Sequence, residues 1–147
     1  SYNASECLAL RSDAITLTAS TAPMLDFWTR YDIETGYDGG IVQISTNDGS
    51  TWTTITPAGG YPSTFTHTGN ACGLALNSGA YTGTNLNWTH PQFDLTSYAG
   101  QTIRLRWQFA TDGGLQQGGW WIDDLRVTHA QVPGSCSIDA IFKGGFE

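Results

Sequence analysis

Gly118-Gly119-Trp120-Trp121-Ile122-Asp123-Asp124-Leu125-Arg126-Val127 is a strand-length run holding two indoles, two adjacent carboxylates and three branched apolar residues. Side chains along a strand alternate between its two faces, so residues two apart should share a character. Trp120 and Ile122 keep one phase, Leu125 and Val127 keep the other, and the phase slips at Asp123-Asp124. One extra residue in a strand produces that slip, so the run predicts a β-bulge at the two aspartates. A bulge re-aims side chains, and an aspartate turned inward would need a cation or hydrogen-bond donors, since a bare buried carboxylate is very costly. The pair is therefore a candidate site.

The neighbouring segments extend the β reading. Thr102 to Ala110 alternates strictly, with Ile103, Leu105, Trp107 and Phe109 inward and Arg104, Arg106 and Gln108 outward. In Leu25 to Ile33, Leu25, Phe27, Tyr31 and Ile33 share the core side, while Asp26, Trp28, Arg30, Asp32 and Glu34 decorate the other. Residues 14–18, 41–45 and 51–56 read as further short strands, joined by the Gly36-Tyr37-Asp38-Gly39-Gly40 turn and an Asn47-Asp48-Gly49 hairpin. Residues 57–91 are rich in glycine, serine, threonine and asparagine, and a loop of that length in a compact domain is unusual. Short strands are expected there near 61–66 and 86–90. Turn signals between short alternating segments predict an all-β fold, a two-sheet antiparallel β-sandwich of jelly-roll type with little or no regular helix. The domain is expected over residues 1–131, with a separable C-terminal tail over 132–147.

Composition narrows the function. Thirteen acids against six lysines and arginines give a net charge of -7 over 147 residues. Such a surface repels nucleic acid and anionic membrane, and no apolar run is long enough to span a bilayer. The chain opens at Ser1 without a charged-then-apolar leader, which suits a removed signal or a piece of a longer secreted precursor. Cys7, Cys72 and Cys136 show no zinc-ligand spacing. Cys7 and Cys136 bracket the β-rich body and are the expected disulfide, with Cys72 the rival partner for either.

Catalytic motifs are absent from the sequence. There is no Gly-x-Ser-x-Gly elbow and no His-Glu-x-x-His helix, and His67, His90 and His129 fall in loops or after the last strand. A carboxylate pair for glycoside hydrolysis could be drawn from Asp32, Glu34, Asp38, Asp123 and Asp124. The same five acids are better read as a hard-cation site, because calcium gathers six to eight oxygens from carboxylates and irregular backbone. The competing reading pairs them with Arg30, Arg104 and backbone N–H groups and needs no ion. Trp28, Arg30 and Trp88 form a candidate ligand-gripping face. Ser45-Thr46-Asn47-Asp48-Gly49-Ser50-Thr51-Trp52 resembles the Asp-box hairpin of sialidases, whose turn chemistry is structural.

A wider pattern emerges when these motifs are taken in order. Trp28-x-x-Tyr-Asp-x-Glu-x-Gly-Tyr-Asp-Gly-Gly precedes the Asp-box-like hairpin. Asp94-Leu-x-x-Tyr-Ala-Gly-Gln-Thr-Ile-Arg-Leu-Arg-Trp, a Thr111-Asp-Gly loop and Gly119-Trp-Trp-Ile-Asp-Asp-Leu-Arg-Val follow. This order resembles the MAM-like jelly-roll domains appended to secreted bacterial peptidases of the immune-inhibitor-A, fungalysin-like and subtilase types. It covers roughly residues 14–129. The resemblance implies a non-catalytic accessory domain, and several relatives carry a structural calcium or sodium ion, of which calcium is the expected one here. Its expected partner is an attached catalytic domain or an extracellular protein or polysaccharide substrate. A carbohydrate-binding module and a brace for folding and secretion are the alternative roles.

Overall fold

The computed structural model describes residues 1–131 and 137–142. It is all-β, and its one helical turn among the described residues is a 3-10 segment at Thr96–Tyr98. The strands are β1 (Cys7–Arg11), β2 (Ile15–Leu17), β3 (Met24–Ile33), β4 (Gly39–Ser45), β5 (Thr53–Ile55), β6 (Ser63–Thr64), β7 (Gly79–Ala80), β8 (Gly83–Thr89), β9 (Gln92–Asp94), β10 (Thr102–Ala110), β11 (Gly119–Gln131) and β12 (Ser137–Phe142). All pairings are antiparallel, in the order β5-β4-β10-β2-β11-β3-β8, with β1 on β10, β9 on β3 and β12 on β11. β6 and β7 form a separate two-stranded ribbon.

The long sheet folds over on itself at β2, which pairs with the first residues of β10 and the last of β11. Phe27 on β3 therefore meets Trp107 on β10 at 5.8 Å between ring centroids, although three steps of sheet order separate the strands. That cross-layer contact makes a sandwich of a continuous sheet. The core between the layers holds Leu25, Phe27, Ile33, Leu105, Trp107 and Trp120, all essentially inaccessible to water. Trp120 keeps its indole N–H satisfied by donating to the Thr29 hydroxyl at 2.9 Å, as burial of a polar ring atom demands. Gly40 lies flat beneath this indole, and a Cβ there would sit 2.3 Å from Trp120 Cε3. The alternation expected of 25–33 and 102–110 is present, with two exceptions among the residues expected outward. Asp26 on the decorated side of β3 and Gln108 on β10 are both buried.

The bulge in β11 is also present. Asp123 opposes Trp28 and Arg126 opposes Asp26, so β11 spends one more residue than β3 over that interval, and Asp124 takes φ 48°. Both aspartates point to water, however, and Asp124 N–H donates to Asp123 Oδ1 at 2.8 Å. The bulge turns them outward, so neither needs a cation.

Two further expectations meet a different outcome. Residues 7–11, ahead of the first strand expected at 14–18, are themselves a strand, β1. The disulfide is Cys7–Cys72, with Cα atoms 5.0 Å apart, and not Cys7–Cys136. The reason is topological: β1 pairs with the end of β10, placing Cys7 opposite Ala110. Ala71 then donates to the Thr111 carbonyl at 2.9 Å and delivers Cys72 to the same spot. Cys136 lies outside the described residues. The stretch 137–142 pairs with β11 from Leu125 to Gln131.

The Asp-box-like hairpin has the structural role expected of it. Ser45 Oγ bonds Asn47 Oδ1 and accepts from Gly49 N–H, and Asn47 Oδ1 accepts from Thr51 N–H, each at 2.9 Å. Asp48 and Gly49 take positive φ at the tip, the conformation that short polar side chains and glycine tolerate best.

Candidate metal centre and the exposed indole face

Three loops meet at one end of the sandwich. Glu34 follows β3, Asp38 precedes β4, and Asp112 begins the connection from β10 to β11. One carboxylate oxygen from each lies within 4.8 Å of the others. Each acid is tied to a loop N–H: Leu115 donates to Glu34 Oε2 at 3.0 Å, Asp112 to Asp38 Oδ1 at 2.7 Å, and Gly114 to Asp112 Oδ1 at 2.6 Å. Those bonds shape the loops and leave each carboxylate oxygens to spare. Among the described residues no arginine, lysine or histidine forms an ion pair with any of the three.

Asp38 is the telling member. It is 1 % exposed, and its Oδ2 has no hydrogen-bond partner. Burial pushes its carboxyl above the usual carboxylate range, against the opposing pull of the neighbouring Tyr2 hydroxyl and the Asp112 N–H. Glu34 is raised too, by desolvation first and then by the nearby charges of Asp112 and Asp38. Tyr2 itself is pushed up by burial. A buried, unpaired carboxylate oxygen beside two more carboxylates is a donor set that could hold a cation. Hard oxygen ligands on irregular backbone fit calcium, with the remaining positions left to carbonyls and water.

Of the five acids expected from the sequence, Glu34 and Asp38 come together here. Asp32 does not join them: its oxygens accept from Thr84 Oγ1 at 2.9 Å and Gly118 N–H at 3.1 Å. Asp123 and Asp124 lie farther along β11. Gly119 is opposite Asp32 whereas Asp123 is opposite Trp28, so roughly 13 Å of strand separates them from this end. Asp112 was missed. The signal that could have found it is a repeated motif, since Asp38-Gly39-Gly40 and Asp112-Gly113-Gly114 are the same tripeptide on two turns.

A second feature lies on the outer face of β11, β3 and β8. The Arg30 guanidinium is sandwiched between indoles, 4.9 Å from the Trp88 centroid and 5.1 Å from that of Trp121. One row along, Trp28 stacks on His90 at 4.7 Å. His90 Nε2 meets buried Asp26 at 2.8 Å, and Arg126 holds the other Asp26 oxygen at 3.0 Å. Trp28 and Trp88 are 41 % and 42 % exposed, unusually open for tryptophan. Between Thr29 and Tyr31 the register slips by two residues against Thr89 and Asn85 of β8. This bulge throws Leu86 and Trp88 outward. Trp28, Arg30 and Trp88 thus do form one face, and Trp121 completes it.

These features sit on a recognisable domain. The sequence model for the immune inhibitor A-like MAM domain matches residues 7–135. The chain belongs to that family. The MAM-like domain is 30% identical over 119 residues to Immune inhibitor A of Bacillus thuringiensis subsp. alesti, covering 81% of this chain and 15% of that protein. It is 46% identical over 48 residues to Pre-pro-metalloprotease PrtV of Vibrio cholerae, covering 33% of this chain and 5% of that protein. Over 48 residues it is also 35% identical to Bacillopeptidase F of Bacillus subtilis, covering 33% of this chain and 3% of that protein. The MAM-like domain therefore spans a small part of the length of each relative.

Proposed function

We propose that this MAM-like chain is a non-catalytic accessory domain of a secreted bacterial peptidase, held at one end by calcium and presenting an indole–arginine face to substrate or partner. The observation that carries the reading is the family match over residues 7–135, with two of the relatives named as a metalloprotease and a bacillopeptidase. The Cys7–Cys72 disulfide supports an extracytoplasmic setting, where thiols oxidise and stay oxidised. No helix among the described residues is long and apolar enough to cross a membrane.

Glu34, Asp38 and Asp112 would hold the ion. Its charge would neutralise the cluster and lock the three loops onto one another. The face of Trp28, Arg30, Trp88 and Trp121 would supply planar apolar contact with a fixed positive charge between two of the rings, the residue types that carry most binding energy at interfaces.

The test assays the purified chain for peptide and glycoside hydrolysis, and titrates it calorimetrically against insoluble protein fibres and polysaccharides. Binding to protein fibres without turnover, weakened at least tenfold by Trp88→Ala, is the expected result. Turnover abolished by Asp38→Asn would defeat the non-catalytic reading. Binding to polysaccharide alone would replace it with a carbohydrate-binding module.

A further inference from the structure

The opposite outer face carries a charge arrangement that a sheet normally avoids. Arg11 on β1 and Arg106 on β10 are directly opposite each other in the register, and a cross-strand pair of like charges destabilises a sheet. The chain has six lysines and arginines against thirteen acids, so acidic partners are plentiful. Among the described residues none is given to this pair. Asp48 goes instead to neighbouring Arg104, at 2.6 Å.

The surroundings hold the two guanidiniums in place without cancelling them. Both lie over the Trp52 ring, Arg106 at 4.5 Å and Arg11 at 6.0 Å from its centroid. Arg106 Nε donates to Gln43 Oε1 at 2.6 Å, and Gln43 is fixed in turn by donating to Thr54 Oγ1 at 3.2 Å. A glutamate at position 43 would have neutralised Arg106. The glutamine keeps the geometry and leaves the charge. Stacking on an indole covers a guanidinium's flat face; Arg106 Nη2 also makes a long contact with Gln108 Oε1 at 3.5 Å, so its Nη1 end, together with Arg11, is what remains to grip a carboxylate. Burial and the nearby Arg11 charge both work against protonation of Arg106, so an oxyanion between the pair would relieve a standing repulsion.

We propose that Arg11 and Arg106, held over Trp52, form a binding site for the carboxylates of an acidic protein segment. A dense polyanion fits less well, because a net charge of -7 repels it at long range and the site offers two cations rather than a basic track. This inference is independent of the accessory-domain reading, since it concerns the other layer of the sandwich and none of the residues used there.

The experiment titrates the full 147-residue chain with a decapeptide of alternating glutamate and glycine, by calorimetry and by the shift of the Trp52 indole N–H resonance, at low and high ionic strength. Arg11→Gln and Arg106→Gln should each weaken binding about tenfold, the usual loss for one charge-assisted hydrogen-bond partner. Arg106→Lys should fall between wild type and Arg106→Gln. High salt should weaken it further, since exposed charges are screened over about 10 Å. The Arg11→Gln protein should melt no lower than wild type. A peptide that fails to bind, or binds the arginine variants equally, overturns the site. So does capture of a sulfated oligosaccharide in preference to the peptide. A lower melting temperature for Arg11→Gln would assign the pair to bracing Trp52 and overturn it as well.

Discussion

The acidic end and the Arg11–Arg106 face are both clusters of like charge that form no ion pair with an opposite charge among the described residues, yet they are built in different ways. Glu34, Asp38 and Asp112 arrive on three separate loops, and their mutual approach depends on loop N–H groups. Arg11 and Arg106 arrive on adjacent strands, and the sheet register alone sets them side by side. Asp26 shows the third arrangement available to this fold: a buried carboxylate with His90 on one oxygen and Arg126 on the other. The fold can thus pair charges when pairing suffices. A like-charge cluster on loops would gain order from an ion, whereas one set by sheet register would meet a ligand without rearranging.

Breaking the Cys7–Cys72 disulfide should have the largest effect and should touch both clusters at once. The bond joins β1, which carries Arg11, to the loop whose Ala71 N–H binds the Thr111 carbonyl beside Asp112. It closes a loop with a sequence separation of 65, for which chain-entropy arguments and measured deletions give roughly 2–5 kcal/mol. A Cys7→Ser, Cys72→Ser double variant should lose that much in urea unfolding. If it loses less than about 1 kcal/mol, well below that range, the two clusters are not mechanically linked through this bond.

Calcium should come next, and it separates the clusters cleanly. At calcium a hundredfold above its dissociation constant, binding to the folded state alone would add about 2.7 kcal/mol. Asp38→Asn should erase the increment, while Arg11→Gln should leave it intact. A melting temperature indifferent to calcium and to chelator would sink the ion and leave Asp38 Oδ2 as an uncompensated buried oxygen.

How much of this was legible in the sequence follows the same division. The strands of the sandwich show through because a period of two leaves apolar and polar residues sorted, as in 25–33 and 102–110. The phase slip at Asp123-Asp124 disclosed the bulge for that reason, though not which way it would turn the acids. β1 escaped notice because Cys-Leu-Ala-Leu-Arg is an edge strand, mostly exposed, with too little contrast between its faces. The acidic site was half visible: Glu34 and Asp38 are near in sequence, whereas Asp112 meets them only through the fold. The cysteine pairing was hidden likewise, since it depends on which strand ends at Ala110.

Relieving the arginine pair should have a smaller effect of opposite sign. Arg11→Gln removes a like-charge cross-strand contact, typically worth roughly 0.2–1 kcal/mol in a sheet. It should raise stability by a few tenths of a kcal/mol at low salt, and the gain should shrink as salt screens the pair. A gain that persists in high salt would point to packing against Trp52 rather than charge.

The smallest effect belongs to Asp94, an acid that needs neither an ion nor an arginine. It is exposed, and its Oδ1 accepts from Thr96 N–H at 2.8 Å and from the Thr96 hydroxyl, an Asx-turn leading into the short 3-10 segment. The side-chain bond first, and the backbone bond after it, hold its carboxyl below the usual range. A lowered folded-state value means the ionised form is favoured by folding. The contribution is therefore complete above the unfolded-state value of about 3.9 and disappears as pH falls through the lowered one. Melts of wild type and Asp94→Ala should differ slightly at neutral pH, and the charge-dependent part of that difference should vanish under strongly acid conditions. A difference that grows on acidification would reverse the sign and place the stabilisation in the protonated acid instead. That outcome would also remove the contrast with Asp38, whose raised carboxyl favours the neutral form in the absence of an ion.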